Sequence, residues 1–461
     1  MKTIQATVET NPADKNKLLR ILGVTFGLAV VIGGTIGVGI LRLPGAVAAQ
    51  LGSVWLVILV WTLGGVYSLL GANYMAELAT TIPKAGGPYV YAHRAYGDYG
   101  GFVVGWSDWL LNTLSLAYIA IVFGEYAAAL FAPNFSNGVV VFSVTILILL
   151  TILNWIGLRA GSETQKLTSL LKAVALLGFV AACFIFGGQH NPPNAGEQAA
   201  VAAPSGFALV IAFVLAFQLV LGTYAGWFSA VYFAEEDTNP ERNIPRSLFG
   251  GVALIIGIYL LVNLALLYAL PLSQMANSKF AGADAMTLIF GERSGQIVTA
   301  LALLSIIGII NATLMFTPRT LLALGRDGLF LQKAATVNKG GTPVFALMMT
   351  VLPAIVLITV GTFESLLAIT EFFAVTNTIL LIGSLFLLRR REPDLPRPFR
   401  AWGYPFAPLV MLTAAILLFF GYIVSNLSNS LYAIAALAAS YPIFLLIKKR
   451  GQDNFMIENR K

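Results

Sequence analysis

Glycines cluster at two places where an apolar segment would otherwise form one continuous helix. The first cluster has four glycines within seven residues: Gly33, Gly34, Gly37 and Gly39. The second is the run Gly-Thr-Tyr-Ala-Gly-Trp at residues 222–227. Because each glycine inside a helix costs ~1 kcal/mol relative to alanine, both clusters favour an interruption of the helix, the first of them near residues 35–39.

Interrupted helices expose peptide groups that can bind a small zwitterion. Unwound amides, and the N-terminus of a half-helix that follows Gly39, offer N–H donors and the positive end of the helix dipole to a carboxylate. Unwound carbonyls in both segments can accept hydrogen bonds from an ammonium. Since irregular backbone at membrane depth is tolerated only where it is buried or lines a cavity, the two clusters predict a site for an α-amino acid. The alternative for either cluster is close helix packing through small residues.

The chain that positions these residues has the composition of an integral membrane protein. Of its 461 residues, 58% are apolar and only 11% are charged, whereas soluble proteins are ~45–50% apolar and ~25% charged. This composition excludes an ordinary soluble enzyme, a disordered protein and a fibrous protein. A span takes ~20 residues, and twelve segments are expected to cross the bilayer: 22–50, 53–82, 101–130, 138–157, 164–187, 207–234, 248–270, 294–317, 343–361, 364–388, 405–426 and 431–447.

The distribution of charge predicts the orientation of the chain. The 28 lysines and arginines exceed the 21 acids and give a net charge of +7. Nearly all of these cations fall in one set of alternating loops, and the other side has only Lys279, Arg293 and Arg42. The positive-inside rule therefore places both termini in the cytoplasm of a cell whose plasma (inner) membrane holds the chain. The surplus of cations is attributed to topology rather than to nucleic-acid binding.

Matching interruptions in spans one and six indicate an internal repeat. Each is the first span of a five-helix half, and paired interrupted spans at corresponding positions are typical of inverted-repeat transporters. We therefore predict an all-α membrane fold of twelve transmembrane helices, a 5+5 inverted repeat plus two C-terminal helices, with helices 1 and 6 unwound. Its parts are a cytoplasmic N-terminal tail at 1–21, repeats at 22–187 and 207–388, helices 11 and 12 at 405–447, and a cytoplasmic C-terminal tail at 448–461.

Further motifs between residues 34 and 399 resemble those of a known family. They are GTIGVGILRLP at 34–44, IPKAGGPYVY at 82–91, Gly-Trp at 105–106, the segment 227–245 with its Glu-Glu pair, Arg319 with Arg-Asp-Gly at 326–328, and Pro-Arg-Pro-Phe at 396–399. In this order they resemble the signatures of amino acid permeases of the amino acid–polyamine–organocation superfamily. The resemblance implies a fold of the leucine-transporter type and alternating access by rocking of helix bundles.

The resemblance also implies where an amino acid would bind. Its carboxylate would contact four backbone amides of the first span: Gly37, Val38, Gly39 and Ile40. Its ammonium would contact carbonyls in both interrupted spans, near Ile32, Gly33 and Thr223.

The sequence departs from the family pattern at two positions. The middle residue of the Gly-x-Gly motif is often Ser, Thr or Ala in the family, but it is Val38 here. Relatives of the L-type exchanger group have a bulky aromatic gate where this chain has Gly222. The gate would then be Tyr224 or Phe217, while Gly222 and Ala225 leave room for the substrate.

One lysine, Lys172, lies inside an apolar segment with no acid nearby. A charged ammonium at the bilayer centre costs at least ~2.5–3.5 kcal/mol on insertion scales, so an intramembrane lysine is a functional candidate by default. The alternative is a side chain that snorkels to the interface. In the family, a lysine at the matching point stands where sodium-coupled relatives bind sodium. This implies that Lys172 links span one near Gly33 to span eight, where Ser305 is available, and that transport does not need sodium; Lys172 is also a candidate for proton release.

Two acids, Glu125 and Glu371, are placed deep enough in the predicted spans to bind a proton or a cationic side chain. The alternative for each is a carboxylate that a neighbouring hydroxyl or amide satisfies. Four other acids are expected near the cytoplasmic face as caps or in ion pairs with Arg94, Arg242 or Arg246: Glu77, Asp108, Glu235 and Glu236. His93 and His190 are assigned to loops, so no metal site is expected.

These observations favour a sodium-independent secondary transporter of amino acids, working as a proton-linked symporter or as an exchanger. Val38, Leu41 and Phe217 favour neutral side chains on the substrate. The alternatives are a cationic amino acid or polyamine transporter of the same fold, or a nutrient sensor that does not transport. The expected partners are the amino acid, protons and the lipid bilayer, with no catalytic residue, cofactor or nucleic acid. The single cysteine, Cys183, lies within span five, so no disulfide-linked ancillary subunit is expected.

Overall fold

The computed structural model describes residues 17–189 and 204–458. These residues form fifteen α-helices and no β-strand: α1 (Val24–Thr35), α2 (Gly39–Leu51), α3 (Val54–Thr81), α4 (Pro88–Phe131), α5 (Gly138–Ile156), α6 (Leu158–Phe186), α7 (Gly206–Tyr224), α8 (Pro240–Ala269), α9 (Leu272–Asn277), α10 (Ala281–Phe290), α11 (Glu292–Arg326), α12 (Val344–Val360), α13 (Phe363–Arg391), α14 (Phe406–Ser425) and α15 (Leu427–Glu458). The predicted N-terminal tail up to residue 16, His190 and residues 459–461 lie outside the described ranges.

Most of these helices have the length and apolarity of membrane spans. Among the described residues ten helices meet both criteria, and α1 and α2, which are bent by 45° at the break between them, would together form an eleventh. Helix α12 is apolar but has 17 residues, fewer than the ~20 that a span takes. The all-helical membrane architecture is therefore confirmed, while the count of twelve spans stays a prediction.

The helices that contain the two glycine clusters pack in the centre of the bundle. Helix α1 packs against α6, α8 and α11, α2 packs against α7, and α4 packs against α11 and α13. Small residues permit this close packing: Gly251 of α8 faces Val31, and Gly64 of α3 faces Val220 and Tyr224 of α7. The packing brings the end of α7 to the break between α1 and α2.

Two short helices, α9 and α10, fill the segment between α8 and α11, where the sequence predicted no helix. Both pack against α2. A Cβ atom added to Gly45 of α2 would lie 2.6 Å from the carbonyl oxygen of Ser278 and 2.7 Å from that of Met275. The glycine therefore lets the backbone that ends α9 lie directly on α2.

Helix α4 begins with a short helical segment that bends into the long one at Gly97, where φ is +79°. His93 lies in that short segment, so its assignment to a loop is wrong. Its ring nitrogens lie 3.2 Å from the carboxylate of Asp98 and 3.4 Å from that of Asp327. The contact with His93 and the hydrogen bond from the Tyr89 hydroxyl (2.7 Å) hold the pKa of the Asp327 carboxyl below its usual range.

Ion pairs join several helices at the end of the bundle that holds residues 17–22. Glu236 pairs with Arg319 at 2.5 Å, and both side chains are buried. The other pairs at this end are Glu77–Arg389 (2.5 Å), Arg94–Glu392 (2.7 Å) and Glu235–Arg326 (2.9 Å). The expectation that Glu77, Glu235 and Glu236 form ion pairs is correct, but none of them uses an expected partner: Arg94, Arg242 or Arg246. Asp108 instead accepts hydrogen bonds from Tyr232 (2.7 Å) and Thr320 (2.9 Å).

Candidate functional site

The break between α1 and α2 covers residues 36–38. The last turn of α1 closes with the N–H of Ile36 on the carbonyl of Ile32 (2.8 Å), and α2 opens with the N–H groups of Leu41 and Arg42 on the carbonyl of Val38 (3.0 and 3.1 Å). The amides of Gly39 and Ile40 precede this first bond of α2, and N–H groups at a helix start have no intrahelical acceptor. The break therefore presents a positive helix end with free donors.

Helix α7 ends in a comparable way one residue after Thr223. Ala225 is extended, Gly226 has φ of +101°, and a turn of 3-10 helix follows at Ser229–Phe233. A Cβ atom on Gly226 would collide with the carbonyl oxygen of Gly34. The two chain breaks therefore cross with backbone against backbone, which requires glycine at position 226.

Tyr259 of α8 ties the two breaks together. Its hydroxyl lies 2.9 Å from the carbonyl oxygen of Thr223 and 3.2 Å from that of Thr35, and its ring is fully buried against Trp61 and Tyr224. This role could not be predicted from the sequence, because a single tyrosine within an apolar helix has the same pattern as a core residue.

A cavity of about 690 Å³ opens beside the crossing. Residues in and beside both breaks line it: Gly34, Thr35, Gly37, Val38, Gly39, Gly222, Thr223, Ala225 and Gly226. Its other walls come from α3, α4, α11, α13 and α14, through side chains that include Tyr67, Tyr118, Ile309, Glu371 and Tyr422. The structure thus brings together seven of the residues singled out from the sequence: Gly37, Val38, Gly39, Gly222, Thr223, Ala225 and Glu371.

Five of the expected binding residues do not line the cavity: Ile32, Gly33, Ile40, Phe217 and Tyr224. The carbonyl of Ile32 accepts the N–H of Ile36, and that of Gly33 accepts from Lys172 (2.9 Å), so both have protein donors. Ile40 is buried in the apolar core. Leu41, which was used to argue for a neutral substrate, is buried as well. The carbonyls of Ile32 and Gly33 and the side chains of Ile40 and Leu41 are therefore not available to a ligand, whereas the amide of Ile40, the group expected to bind the carboxylate, is one of the free donors at the start of α2.

Neither aromatic gate candidate faces the cavity. Tyr224 is 1% exposed and directs its hydroxyl to the carbonyl of Trp61 (3.2 Å). Phe217 packs edge-on against Tyr67 with ring centroids 6.1 Å apart, and it is Tyr67 that lines the cavity. Both residues therefore lie behind the residues that line the cavity. The sequence could not show this, because the packing of α7 decides which of its residues face the cavity.

Lys172 of α6 is buried and donates to three carbonyl oxygens: Gly33 (2.9 Å), Ile36 (2.8 Å) and Ser305 (2.9 Å). These contacts join α1, the break and α11, as the sequence predicted for the lysine. Three acceptors match the three N–H bonds of a charged ammonium. The geometry therefore fits a lysine that holds its proton, and its role in coupling stays a prediction.

A chain of buried amides continues from Lys172 along the same interface. Ser169 donates to the carbonyl of Ala29 (2.7 Å), and Asn311 donates to Gln165 (2.8 Å). Asn154 donates in turn to Asn311 (2.9 Å). These bonds across helices satisfy polar groups that would otherwise be costly in the interior, and they fix α1 against α6 and α11.

The two acids proposed for coupling have different surroundings. Glu125 is exposed on α4 and does not line the cavity, so its role in coupling stays a prediction. Glu371 does line the cavity, and its Oε2 atom accepts from the hydroxyl of Tyr422 at 3.3 Å. Of the two acids, Glu371 is the one that a ligand in the cavity can reach.

Comparison with known proteins agrees with this geometry. A protein-family model described as amino acid permease matches residues 22–445. The chain is 28% identical over 442 residues to the serine/threonine exchanger SteT of Bacillus subtilis (strain 168), covering 95% of this chain and 99% of that protein. It is 29% identical to the mouse b(0,+)-type amino acid transporter 1 (88% of this chain, 83% of that protein). It is also 29% identical to the mouse large neutral amino acids transporter small subunit 2 (87% and 76%).

Proposed function

Since the chain belongs to the amino acid permease family, we propose that it is a sodium-independent secondary transporter of amino acids that works by alternating access. The observation that carries the proposal is the crossing of two interrupted helices beside one cavity, which offers both free amides and backbone carbonyls. Relatives whose names describe amino acid exchange or transport along almost the whole chain support it.

The carboxylate of the substrate would bind at the start of α2. Gly37, Val38 and Gly39 line the cavity there, and the free N–H groups of a helix start favour an anion. The ammonium would bind on the peptide groups of Gly34 and Ala225, which also line the cavity. This moves the ammonium away from Ile32 and Gly33, whose carbonyls have protein donors.

Neutral amino acids are the proposed substrates. The apolar wall formed by Val38, Ile306 and Ile309 supports this preference, and Gly222 and Ala225 leave space for a side chain. Transport would be either symport with protons or exchange. A cationic amino acid is the second candidate, because Glu371 lies on the same wall.

Independence from sodium follows from Lys172. Its ammonium already supplies a positive charge to the carbonyl oxygens of Gly33 and Ile36 in the break and of Ser305, so no metal ion is needed there. In proteoliposomes that contain the purified chain, uptake of labelled amino acids should be unchanged when Na⁺ is replaced by choline at fixed pH. A collapse of uptake in choline would refute the proposal of sodium independence.

The protein is proposed to lie in the plasma membrane. Both of its termini would be in the cytoplasm. The cationic end that holds residues 17–22 would face the cytoplasm by the positive-inside rule. Helix α12 would be the twelfth span, and two inverted repeats would cover residues 22–187 and 207–388, followed by helices 11 and 12. Labelling of single introduced cysteines from each side of the membrane tests this topology.

The transporter is proposed to work without a disulfide-linked ancillary chain. Its single cysteine, Cys183, is buried in α6, where no partner thiol could reach it. A sensor that binds without transport is the competing function. It would bind amino acids in detergent but would show no uptake into proteoliposomes.

A further inference from the structure

Glu371 of α13 is an acid on the cavity wall without a cationic partner. No ion pair among the described residues includes it. The one hydrogen bond it accepts from a side chain comes from Tyr422 at the long distance of 3.3 Å. Its other oxygen, Oε1, points towards α7, where a Cβ atom on Gly222 would lie 3.4 Å away.

The elements around Glu371 add no positive charge. They contribute three cavity-lining tyrosines, Tyr67 from α3, Tyr118 from α4 and Tyr422 from α14, and Gly222 from α7. The other charged side chains of the cavity wall are Arg42, Glu364 and Asp108. Arg42 lies over the ring of Phe363, 5.9 Å from its centroid, and Asp108 is bonded to Tyr232 and Thr320.

An ionised carboxylate in such surroundings is unstable unless a positive charge joins it, because charged groups inside a membrane are expensive when unpaired. Since transport is proposed to be independent of sodium, the charge that reaches it through the cavity is a proton or a cationic group of the ligand. Gly222 has no side chain between Oε1 and the α7 break, so the distal end of a bound amino acid could reach the carboxylate.

We propose that Glu371 binds one positive charge in every transport cycle: a proton when the amino acid has a neutral side chain, and the terminal ammonium or guanidinium when the side chain is cationic. The inference rests on the proposed function and extends its substrates to both classes. A neutral substrate then moves with one proton, which Glu371 takes from water on one side and releases to water on the other. A cationic substrate moves without a proton. Both cycles therefore carry one positive charge across the membrane.

The test uses the purified full chain in proteoliposomes that contain a pH-sensitive dye. Leucine and lysine are the neutral and cationic probes. The wild-type chain should move protons with leucine but not with lysine. In Glu371→Gln, whose amide mimics the protonated acid, the proton movement with leucine should vanish and the ratio of lysine to leucine uptake should fall at least tenfold.

Two further variants separate the roles of the site. Glu163→Gln, which removes an exposed carboxylate outside the cavity, should match the wild type in both measurements. Gly222→Ala places a methyl group at contact distance from Oε1, so it should lower the lysine-to-leucine ratio but leave the proton movement with leucine. If Glu371→Gln does not fold, as judged by size-exclusion chromatography, the uptake ratio of Gly222→Ala still tests the inference.

Three results would overturn the inference. Equal proton movement with leucine and lysine in the wild type would show that the side chain does not replace the proton. An unchanged lysine-to-leucine ratio in both variants would show that the cationic group binds elsewhere. If leucine is transported and neither variant has an effect, the inference fails and the proposed function stands; if no amino acid is transported at all, both fail.

Discussion

The ammonium of Lys172 has three protons and three carbonyl acceptors within 2.9 Å, which is how a charge can be buried in the middle of the bundle. Two of those acceptors, Gly33 and Ile36, belong to the last turn of α1 and to the break. Their carbonyls point away from the normal helix ladder only because the helix ends here. The lysine therefore stabilises the broken form of the backbone, and the break in turn provides its acceptors.

Lys172→Ala should lower amino acid uptake at least tenfold and should also lower the melting temperature in detergent. The physical reason is that each hydrogen bond to a charged group contributes ~1.5–3 kcal/mol, and three are lost. Initial uptake rates in proteoliposomes and melting curves measure the two effects. Lys166→Ala is the matched control, because this exposed lysine of the same helix makes only an i,i+3 pair with Glu163. Wild-type uptake in Lys172→Ala would contradict the role given to the lysine.

At the level of elements, the short helices α9 and α10 cover α2. Gly45 lies under the carbonyls of Met275 and Ser278, and Gly282 of α10 lies against Leu41. Because α2 carries the amides of the proposed binding site, any tilt of α2 during transport has to move against this cover. The pair therefore connects the segment between α8 and α11 to the helix whose first amides are proposed to bind the carboxylate.

Gly45→Ala should reduce the turnover rate and destabilise the fold by ~1–3 kcal/mol, the usual effect of overpacking. Its Cβ atom would meet two backbone oxygens at 2.6 and 2.7 Å, and backbone cannot move aside as a side chain can. Gly178→Ala in α6 is the control: a Cβ atom there meets nothing within 4 Å, so stability should be unchanged or higher. Equal melting temperatures and uptake rates for the two variants would argue against a tight contact between α9 and α2.

The elements also show what could be predicted from sequence. The breaks were predictable because helix propensity is local, and four glycines in seven residues are a strong local signal. Helices α9 and α10 were not, since they are short and owe their stability to packing on α2. The side of a helix that faces a cavity is also set by tertiary packing, which is why the sequence could not show that Tyr224 and Phe217 lie outside the cavity lining. Lys172 was found because a lone charge in an apolar segment needs a partner wherever the segment packs.

At the scale of the whole molecule, ion pairs hold one end of the bundle together. The pair between Glu236 and Arg319 joins the chain after α7 to the end of α11, and Arg319 also lies over the ring of Phe233 at 4.3 Å. The pair between Arg94 and Glu392 joins α4 to the end of α13. If the bundle opens at this end during alternating access, these contacts have to separate.

Glu236→Gln should destabilise this closed end by ~3–5 kcal/mol, because it leaves a buried arginine without its counter-charge. We expect a lower melting temperature and faster labelling of cysteines introduced near the cavity. The neighbouring Glu235→Gln removes a half-exposed pair with Arg326 and should change stability by only ~0–1 kcal/mol. Similar effects of the two variants would mean that burial of the first pair has no energetic consequence.

The crossing of Gly34 and Gly226 has a consequence for protein engineering. Position 226 does not tolerate even a methyl group, because it would meet the carbonyl oxygen of Gly34, so a library of variants should leave this crossing unchanged. Variation in what the chain accepts has to come from other residues of the cavity lining, at positions 38, 222 and 371. A selection that varies those three positions and keeps both glycines would search for new substrates without disturbing the contact between the two chain breaks.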